Sequence, residues 1–338
     1  HTCAILDDGS VSCWGEGGSG QLGNGGTSDK TTPTPTSSLG IGRTAVAISS
    51  GGEHTCAILD DGSVSCWGEG TGGRLGDGTR YDNKNPTSTN SLGTGRTAVA
   101  ISSGGTHTCA ILDDGSVSCW GEGGTGRLGT GASNTNEFSP TPTSTLGTGR
   151  TAVAISSGRA HTCAILDDGS VSCWGEGEDG QLGNGGTSDK TTPTPTSSLG
   201  TGRIAVAISS GRAHTCVTLD DGSVSCWGKG GSGRLGNGGL SDVNTPTLTS
   251  SLGTGRTAVA ISSGEYHTCV ILDDGSVSCW GKGVSGRLGN SGTSDVNTPT
   301  LTSSLGTGRT AALSERDFNN DGTLNVFEST APSLVICN

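Results

Sequence analysis

No methionine occurs among the 338 residues, and aromatic residues make up only 3%. Without Met, His1 is not a translational start, so the chain reads as a processed product or a piece of something longer. No apolar run reaches the length of a membrane-spanning helix, and no secretory leader is in view. Cations are scarce: 19 Lys and Arg stand against 31 Asp and Glu, giving a net charge of −12. That balance disfavours nucleic acid, which calls for a basic stripe, and an anionic membrane surface. Hydrophobic residues make up only 29%. Such a composition with a high net charge is one signature of disorder, and the strict patterning described below opposes it. The 63 glycines show no three-residue period and come with only ten prolines, which excludes collagen. No closely spaced Cys-x-x-Cys pair occurs, which removes the usual zinc pattern.

What the chain does have is one fifteen-residue stretch, His1-Thr2-Cys3-Ala4-Ile5-Leu6-Asp7-Asp8-Gly9-Ser10-Val11-Ser12-Cys13-Trp14-Gly15, recurring at His54, His107, His161, His214 and His267. Folded about Asp8, it becomes a β-hairpin with a three-residue loop, Asp7-Asp8-Gly9, and Gly at the place that needs positive φ. Ile5 then faces Val11 and Cys3 faces Cys13. Counting outward from the loop puts the two cysteines on a non-hydrogen-bonded pair, where side chains come closest. This spacing predicts bridges Cys3–Cys13, Cys56–Cys66, Cys109–Cys119, Cys163–Cys173, Cys216–Cys226 and Cys269–Cys279. Disulfides persist outside the cytosol, so the expected location is extracellular or at a cell surface.

The repeats start 53, 53, 54, 53 and 53 residues apart. After each hairpin comes a Gly-rich loop with a Gly-x-Leu-Gly, first as Gly20-Gln21-Leu22-Gly23. Next is Thr32-Pro33-Thr34-Pro35-Thr36, whose prolines confine it to a sheet edge. A turn through Leu39 and Arg43 leads to Thr44-Ala45-Val46-Ala47-Ile48, a small-residue strand suited to the crowded inner rim of a ring. Four antiparallel strands repeated at this period read as a propeller blade. The expected fold is all-β: a propeller of six four-stranded blades over residues 1–314. The surplus inner strand, Thr310-Ala311-Ala312-Leu313-Ser314, would pair beside His1–Leu6 to close the ring.

Gly-x-x-His-Thr-Cys-Ala, Asp-Gly-Ser-Val, Cys-Trp-Gly and Gly-Gln-Leu-Gly together resemble the regulator-of-chromosome-condensation repeat, six times over residues 1 to about 314. The resemblance implies a β-propeller and is nearer to secreted prokaryotic relatives, some of them protein-binding propellers. The founding eukaryotic member's nucleotide-exchange activity is not expected here, since the basic tail and a long wedge-like insertion are both missing. Six repeats depart from the family's usual seven, and a seventh blade fits only if sequence is missing.

Residues 315–338 break the pattern. Asp317-Phe318-Asn319-Asn320-Asp321-Gly322-Thr323-Leu324-Asn325-Val326-Phe327-Glu328 matches the twelve-residue calcium loop. The side chains of Asp317, Asn319, Asp321, Asn325 and Glu328 and the carbonyl of Thr323 are the expected Ca²⁺ ligands, and Gly322 makes the turn. The loop resembles an EF-hand-type or dockerin-type site without flanking helices. The tail, Ser333-Leu334-Val335-Ile336-Cys337-Asn338, carries the odd thirteenth cysteine, an intersubunit candidate.

Catalysis is not expected. Ser, His and Asp recur identically in every repeat, whereas a catalytic constellation would break the repeat at one spot. The six histidines are spread apart by symmetry, which favours strand-end hydrogen bonding over a metal ring. The Asp-Asp pairs belong to tight turns, and Trp14 with its copies to the packing between blades. Variation gathers on one face, in the residues before each His-Thr-Cys and in the residue after Trp-Gly. The latter switches from Glu16, Glu69, Glu122 and Glu176 to Lys229 and Lys282. Variable loops on one face of a rigid repeat scaffold are where binding resides. The expected function is a non-enzymatic extracellular structural or adhesive propeller, a subunit of a surface layer or filament. Its partners would be other copies of itself or other surface proteins, with no nucleic acid and no membrane span. A secreted monomeric protein-binding or inhibitor propeller is the alternative.

The calcium loop makes a direct prediction. With three carboxylates and no paired hand, one Ca²⁺ should bind with an affinity of roughly 10⁻⁴–10⁻³ M. Titration calorimetry should lose that heat in Asp317→Ala, and equal heats in the two proteins would rule the site out.

Overall fold

The computed structural model describes residues 1–306 together with Thr310 and Ala311. Each blade is an antiparallel sheet read outward from the axis. The first turn of the pattern runs β1 (Thr2–Ile5), β2 (Val11–Gly15), β3 (Lys30–Pro35), β4 (Ala45–Ser50), β5 (His54–Leu59), β6 (Val64–Gly68) and β7 (Asn83–Ser88). Strands β4-β5-β6-β7 form the second blade in that spatial order, and the four blades that follow repeat it. The first blade holds three strands, β1-β2-β3, among the described residues. The molecule is thus an all-β propeller of six blades, and no described helix is long and apolar enough to cross a membrane.

Local chemistry explains each strand. In the hairpin Ile5 pairs with Val11 and Cys3 with Cys13. Leu6 N donates to Ser10 O at 2.8 Å, and Gly9 takes φ +77°, the left-handed residue that the three-residue turn requires. The Cys3 and Cys13 Cα atoms lie 4.1 Å apart with their sulfurs joined, and the same bridge closes the other five hairpins. The Pro-bearing strand lies outermost in every blade, where its missing N–H groups face no partner strand. The Ala-rich strand lies innermost, and neighbouring copies are stitched around the axis by serines. Ser103 N donates to Ser49 Oγ at 2.9 Å and Ser157 N to Ser102 Oγ at 2.8 Å.

The core lies between blades rather than inside one. Cys3, Val11, Cys13 and Leu22 of the first blade pack on Ala45, Ala57 and Trp67 of the second. The third and fourth blades join in the same way, through Cys109, Leu128 and Trp174. Few large side chains are needed because each sheet is thin and both faces are covered.

The seam between the sixth and first blades is different. Trp14 is only half-buried, while Trp67, Trp120, Trp174, Trp227 and Trp280 are fully buried. The sixth blade's cluster, Cys269, Cys279 and Leu288, includes no tryptophan of a following blade among the described residues. Ala311 N donates to Gly275 O at 2.9 Å, as Ala45 does to Gly9 and Ala98 to Gly62, so Ala311, in the described part of the expected closing strand, makes the bond that the first residue of an inner strand makes. The rest of that strand, residues 312–314, lies outside the described residues, as do the calcium loop and Cys337.

Each disulfide closes only a short loop, so each should contribute near the lower end of the usual ~2–4 kcal/mol. Replacing Cys163 and Cys173 together by Ser should lower the unfolding free energy by about 2 kcal/mol in denaturant titration. Non-reducing peptide mapping that found bridges from blade to blade would contradict the assignment.

Candidate functional site

The repeated polar residues are spent on joining blades. His54 Nε2 lies 2.8 Å from Thr108 Oγ1 in the next blade. Thr108 Oγ1 in turn donates to the Arg74 carbonyl at 3.1 Å. Because the threonine proton is committed to that carbonyl, the histidine must supply the other one, which fixes the Nε2–H tautomer. The same relay runs from His1 to Thr55, His107 to Thr162, His161 to Thr215 and His214 to Thr268. Burial pushes His54 down to about 3 and His161 to about 4, with nearby Arg74 and Arg127 adding to the effect. At the seam, His267 Nε2 finds no partner among the described residues.

The Asp-Asp pairs are turn residues. Asp61 Oδ1 accepts from Ser63 N at 3.0 Å and Ser63 Oγ at 2.6 Å, and these bonds hold its carboxyl below the ordinary range. Arg43 bridges Asp60 and Asp61 on the same face, a half-exposed contact of small energetic weight. Among the described residues no group of three His, Cys, Asp or Glu is placed to hold a metal. The expected calcium ligands and Cys337 lie outside the described residues.

The opposite face carries the site. It is built from the loop entering each Cys hairpin and the loop leaving it, the two places where the repeats differ. In blades 4 to 6 these loops enclose a cavity of about 280 Å³, lined by Arg159, Arg212, Lys229, Arg234 and Tyr266, with Glu176 and Asp179 on its wall. The Tyr266 ring gathers three cations. Arg234 Cζ lies 5.1 Å from its centroid, Arg212 Cζ 5.6 Å and Lys282 Nζ 4.8 Å. Only Arg234 of the three is buried, so its contact approaches the ~2 kcal/mol of a desolvated cation–π pair, while those of the part-exposed Arg212 and Lys282 stay nearer the ~0.5–1 kcal/mol of a surface pair. Arg212 also donates to the Tyr266 hydroxyl at 2.7 Å and pairs with Glu265. Lys229 Nζ pairs with Asp179 at 2.9 Å. Glu176 accepts from Gln181 Nε2 at 3.2 Å.

The sequence indicated this face, its variable pairs Gly52-Glu53, Gly105-Thr106, Arg159-Ala160, Arg212-Ala213 and Glu265-Tyr266, and the Glu-to-Lys switch, but neither Arg234 nor the gathering of cations on the Tyr266 ring. Both were visible in principle. Arg234 occupies the x of Gly-x-Leu-Gly, and Tyr266 replaces the small residue that precedes His161 and His214. Reading them as a site requires knowing that loops from three blades meet.

The geometry defines a class: an all-β propeller of six blades with a polar, cation-lined cavity on one face. The RCC1-like domain family model matches residues 1–315, and the chain belongs to that family. The Arabidopsis thaliana ultraviolet-B receptor UVR8 is 31% identical over 90% of this chain and 68% of its own length. The human E3 ubiquitin-protein ligase HERC2 is 34% identical over 89% of this chain, which spans only 6% of that protein. Yeast RCC1 (Prp20), solved bound to Kap60, superposes with a TM-score of 0.78 at 20% identity over 90% of this chain and 73% of its own, a likeness of fold alone.

Neutral buried histidines give a pH dependence. Folded His54 protonates near pH 3 and His161 near pH 4; unfolded, each does so near ~6.5. Between those values the unfolded chain binds more protons, so stability falls as pH drops below ~6.5. The expected loss is up to about 1.4 kcal/mol per pH unit for each histidine. Denaturant titrations of His161→Gln between about pH 6 and 4.5 should show a slope shallower by one proton. An unchanged slope would mean that His161 is not held neutral.

Proposed function

We propose that this chain is a non-enzymatic, extracellular protein-binding propeller that meets its partner with the variable face of blades 4 to 6. The observation that carries this reading is the cation-lined cavity around Tyr266, set in a chain of net charge −12. Binding is supported over catalysis because the repeated His, Thr and Asp side chains are consumed by inter-blade relays and turns. Extracellular placement is supported by six cross-strand disulfides. Protein binding is in keeping with the family fold, since the yeast relative is crystallised with a protein partner and has been studied for binding to Gsp1p and histones. The reading as a filament or surface-layer subunit ranks second, because its carriers, Cys337 and the apolar tail, lie outside the described residues.

The test compares the two faces of the propeller. Labelled protein should bind surface proteins isolated from its source. The double variant Arg212→Glu, Tyr266→Ala should lose that binding by about tenfold or more, in line with the weight of buried Arg and Tyr anchors. Arg150→Glu on the opposite face, which removes an exposed pair with Asp168, should bind as wild type. Equal losses from both faces would refute the assignment.

A further inference from the structure

On the variable face the arginine of the Gly-x-Leu-Gly loop loses its internal partners in the fifth and sixth blades, and of the two, Arg234 and Arg287, only Arg234 is buried. In the second blade Arg74 Nη1 donates to Glu69, the residue after Trp-Gly. In the third blade Arg127 Nη1 donates to Thr106 Oγ1 at 2.6 Å and lies 3.6 Å from Glu122. The fifth blade keeps the arginine, as Arg234, but changes both partners: Lys229 replaces the glutamate and Ala213 the threonine. The guanidinium stays inside regardless. Arg234 is 5% exposed, its Nε donates to Gly231 O at 2.8 Å, and its Nη1 is buried with no hydrogen-bond partner. Its backbone is fixed as well, because the Arg234 carbonyl accepts from Trp280 Nε1 at 3.0 Å. A buried guanidinium nitrogen left without an acceptor is costly to keep. This one lines the cavity just described, beside Lys229 and under Tyr266. The carboxylates that act on it, Asp179 and Asp242, are engaged by Lys229 and by the Gly230 N–H, and Glu176 on the cavity wall accepts from Gln181.

We propose that this cavity is a carboxylate-binding site, in which Arg234 receives an Asp or Glu side chain from an acidic segment of the partner protein. The site rests on the reading of this face as the recognition surface and adds the partner's chemistry to it. The incoming carboxylate replaces the Glu69-type partner that the fifth blade has given up. Arg234 supplies a charge-assisted hydrogen bond from a pre-positioned fork. Lys229 and Arg159 add positive charge at the rim. Elsewhere the acidic propeller repels such a segment, so the cavity provides both attraction and register.

The repeat itself supplies conservative variants. Lys229→Glu restores the residue found at Glu16, Glu69, Glu122 and Glu176, and Arg234→Gln that found at Gln21 and Gln181. Titration calorimetry of the full chain with a hexaglutamate peptide should show binding. Each variant should weaken it about tenfold or more, the worth of one charge-assisted hydrogen bond, while Arg150→Gln on the far face leaves it unchanged. Lys229→Glu should melt no lower than wild type, because Arg234 gains an internal partner. Glutarate, a free dicarboxylate, should bind at least tenfold more weakly than the peptide. No binding of hexaglutamate, or binding indifferent to both Lys229→Glu and Arg234→Gln, would overturn the site. Glutarate binding as tightly as the peptide would overturn the protein segment as ligand. Any of these outcomes alongside a surviving difference between the two faces would leave the broader reading standing and remove only the carboxylate.

Discussion

The structure depends on one contact, repeated: the seating of each tryptophan beneath the Gly-x-Leu-Gly loop of the preceding blade. A Cβ added at Gly23 would lie 2.7 Å from Trp67 Nε1, and Gly23 has φ +68°. No residue with a side chain fits there, in space or in backbone. The Gln21 carbonyl, two residues earlier, accepts from both Trp67 Nε1 and Thr55 Oγ1 at 3.0 Å. One loop therefore holds its neighbour by packing and by a double hydrogen bond. Packing dominates, since losing a buried Trp costs ~3–5 kcal/mol while each neutral hydrogen bond is worth ~1 kcal/mol. The threonine bond recurs at each of the five seams from the first blade to the sixth, whereas the tryptophan bond forms for Trp67, Trp227 and Trp280 and not for Trp120 or Trp174, so packing and the threonine bond are the parts of the clasp that repeat.

That dependence explains how a chain so poor in large apolar residues folds. Each blade contributes one tryptophan and one leucine to a seam, and the disulfide supplies rigidity that a thin sheet lacks. It also bears on the half-buried Trp14 and on His267 Nε2, which has no partner among the described residues; both lie at the seam between the sixth and first blades, where the first blade shows three strands among the described residues. The repeat works as a clasp with a donor side and an acceptor side, and at the sixth blade His267 Nε2 finds no acceptor-side partner among the described residues.

Much of this was legible in the sequence because it rests on local rules. The Asp-Asp-Gly turn fixes the hairpin register, the register places Cys3 opposite Cys13, and the prolines place the outer strand. The direction of each histidine's bond was not legible. His54 reaches forward to Thr108 of the next blade, a partner 54 residues away, and period alone does not say which neighbour is chosen. The proposed recognition site was harder still. Lys229 registers in the sequence as a reversed charge, but its consequence falls on Arg234, five residues on, and on Tyr266, from another blade.

A repeat scaffold separates its two tasks by where it tolerates variation. Changing the clasp residues in one blade damages a seam, so those positions stay the same in all six copies. Changing Glu to Lys after Trp-Gly damages no seam, because the Trp227 ring remains buried and its Nε1 still reaches the Gln181 carbonyl at 2.9 Å. The cost appears instead at Arg234 Nη1, buried without a hydrogen-bond partner. If mutational drift alone were at work, a neutral or shorter residue at position 234 would remove that cost, and the repeat has Gln available for the position at Gln21 and Gln181. The fifth blade instead keeps the arginine and sets Lys229 beside it. A buried polar group left without its internal partner is easier to understand when the missing partner comes from outside. The asymmetry of blades 4 to 6 is therefore better read as a binding feature than as a defect in the repeat.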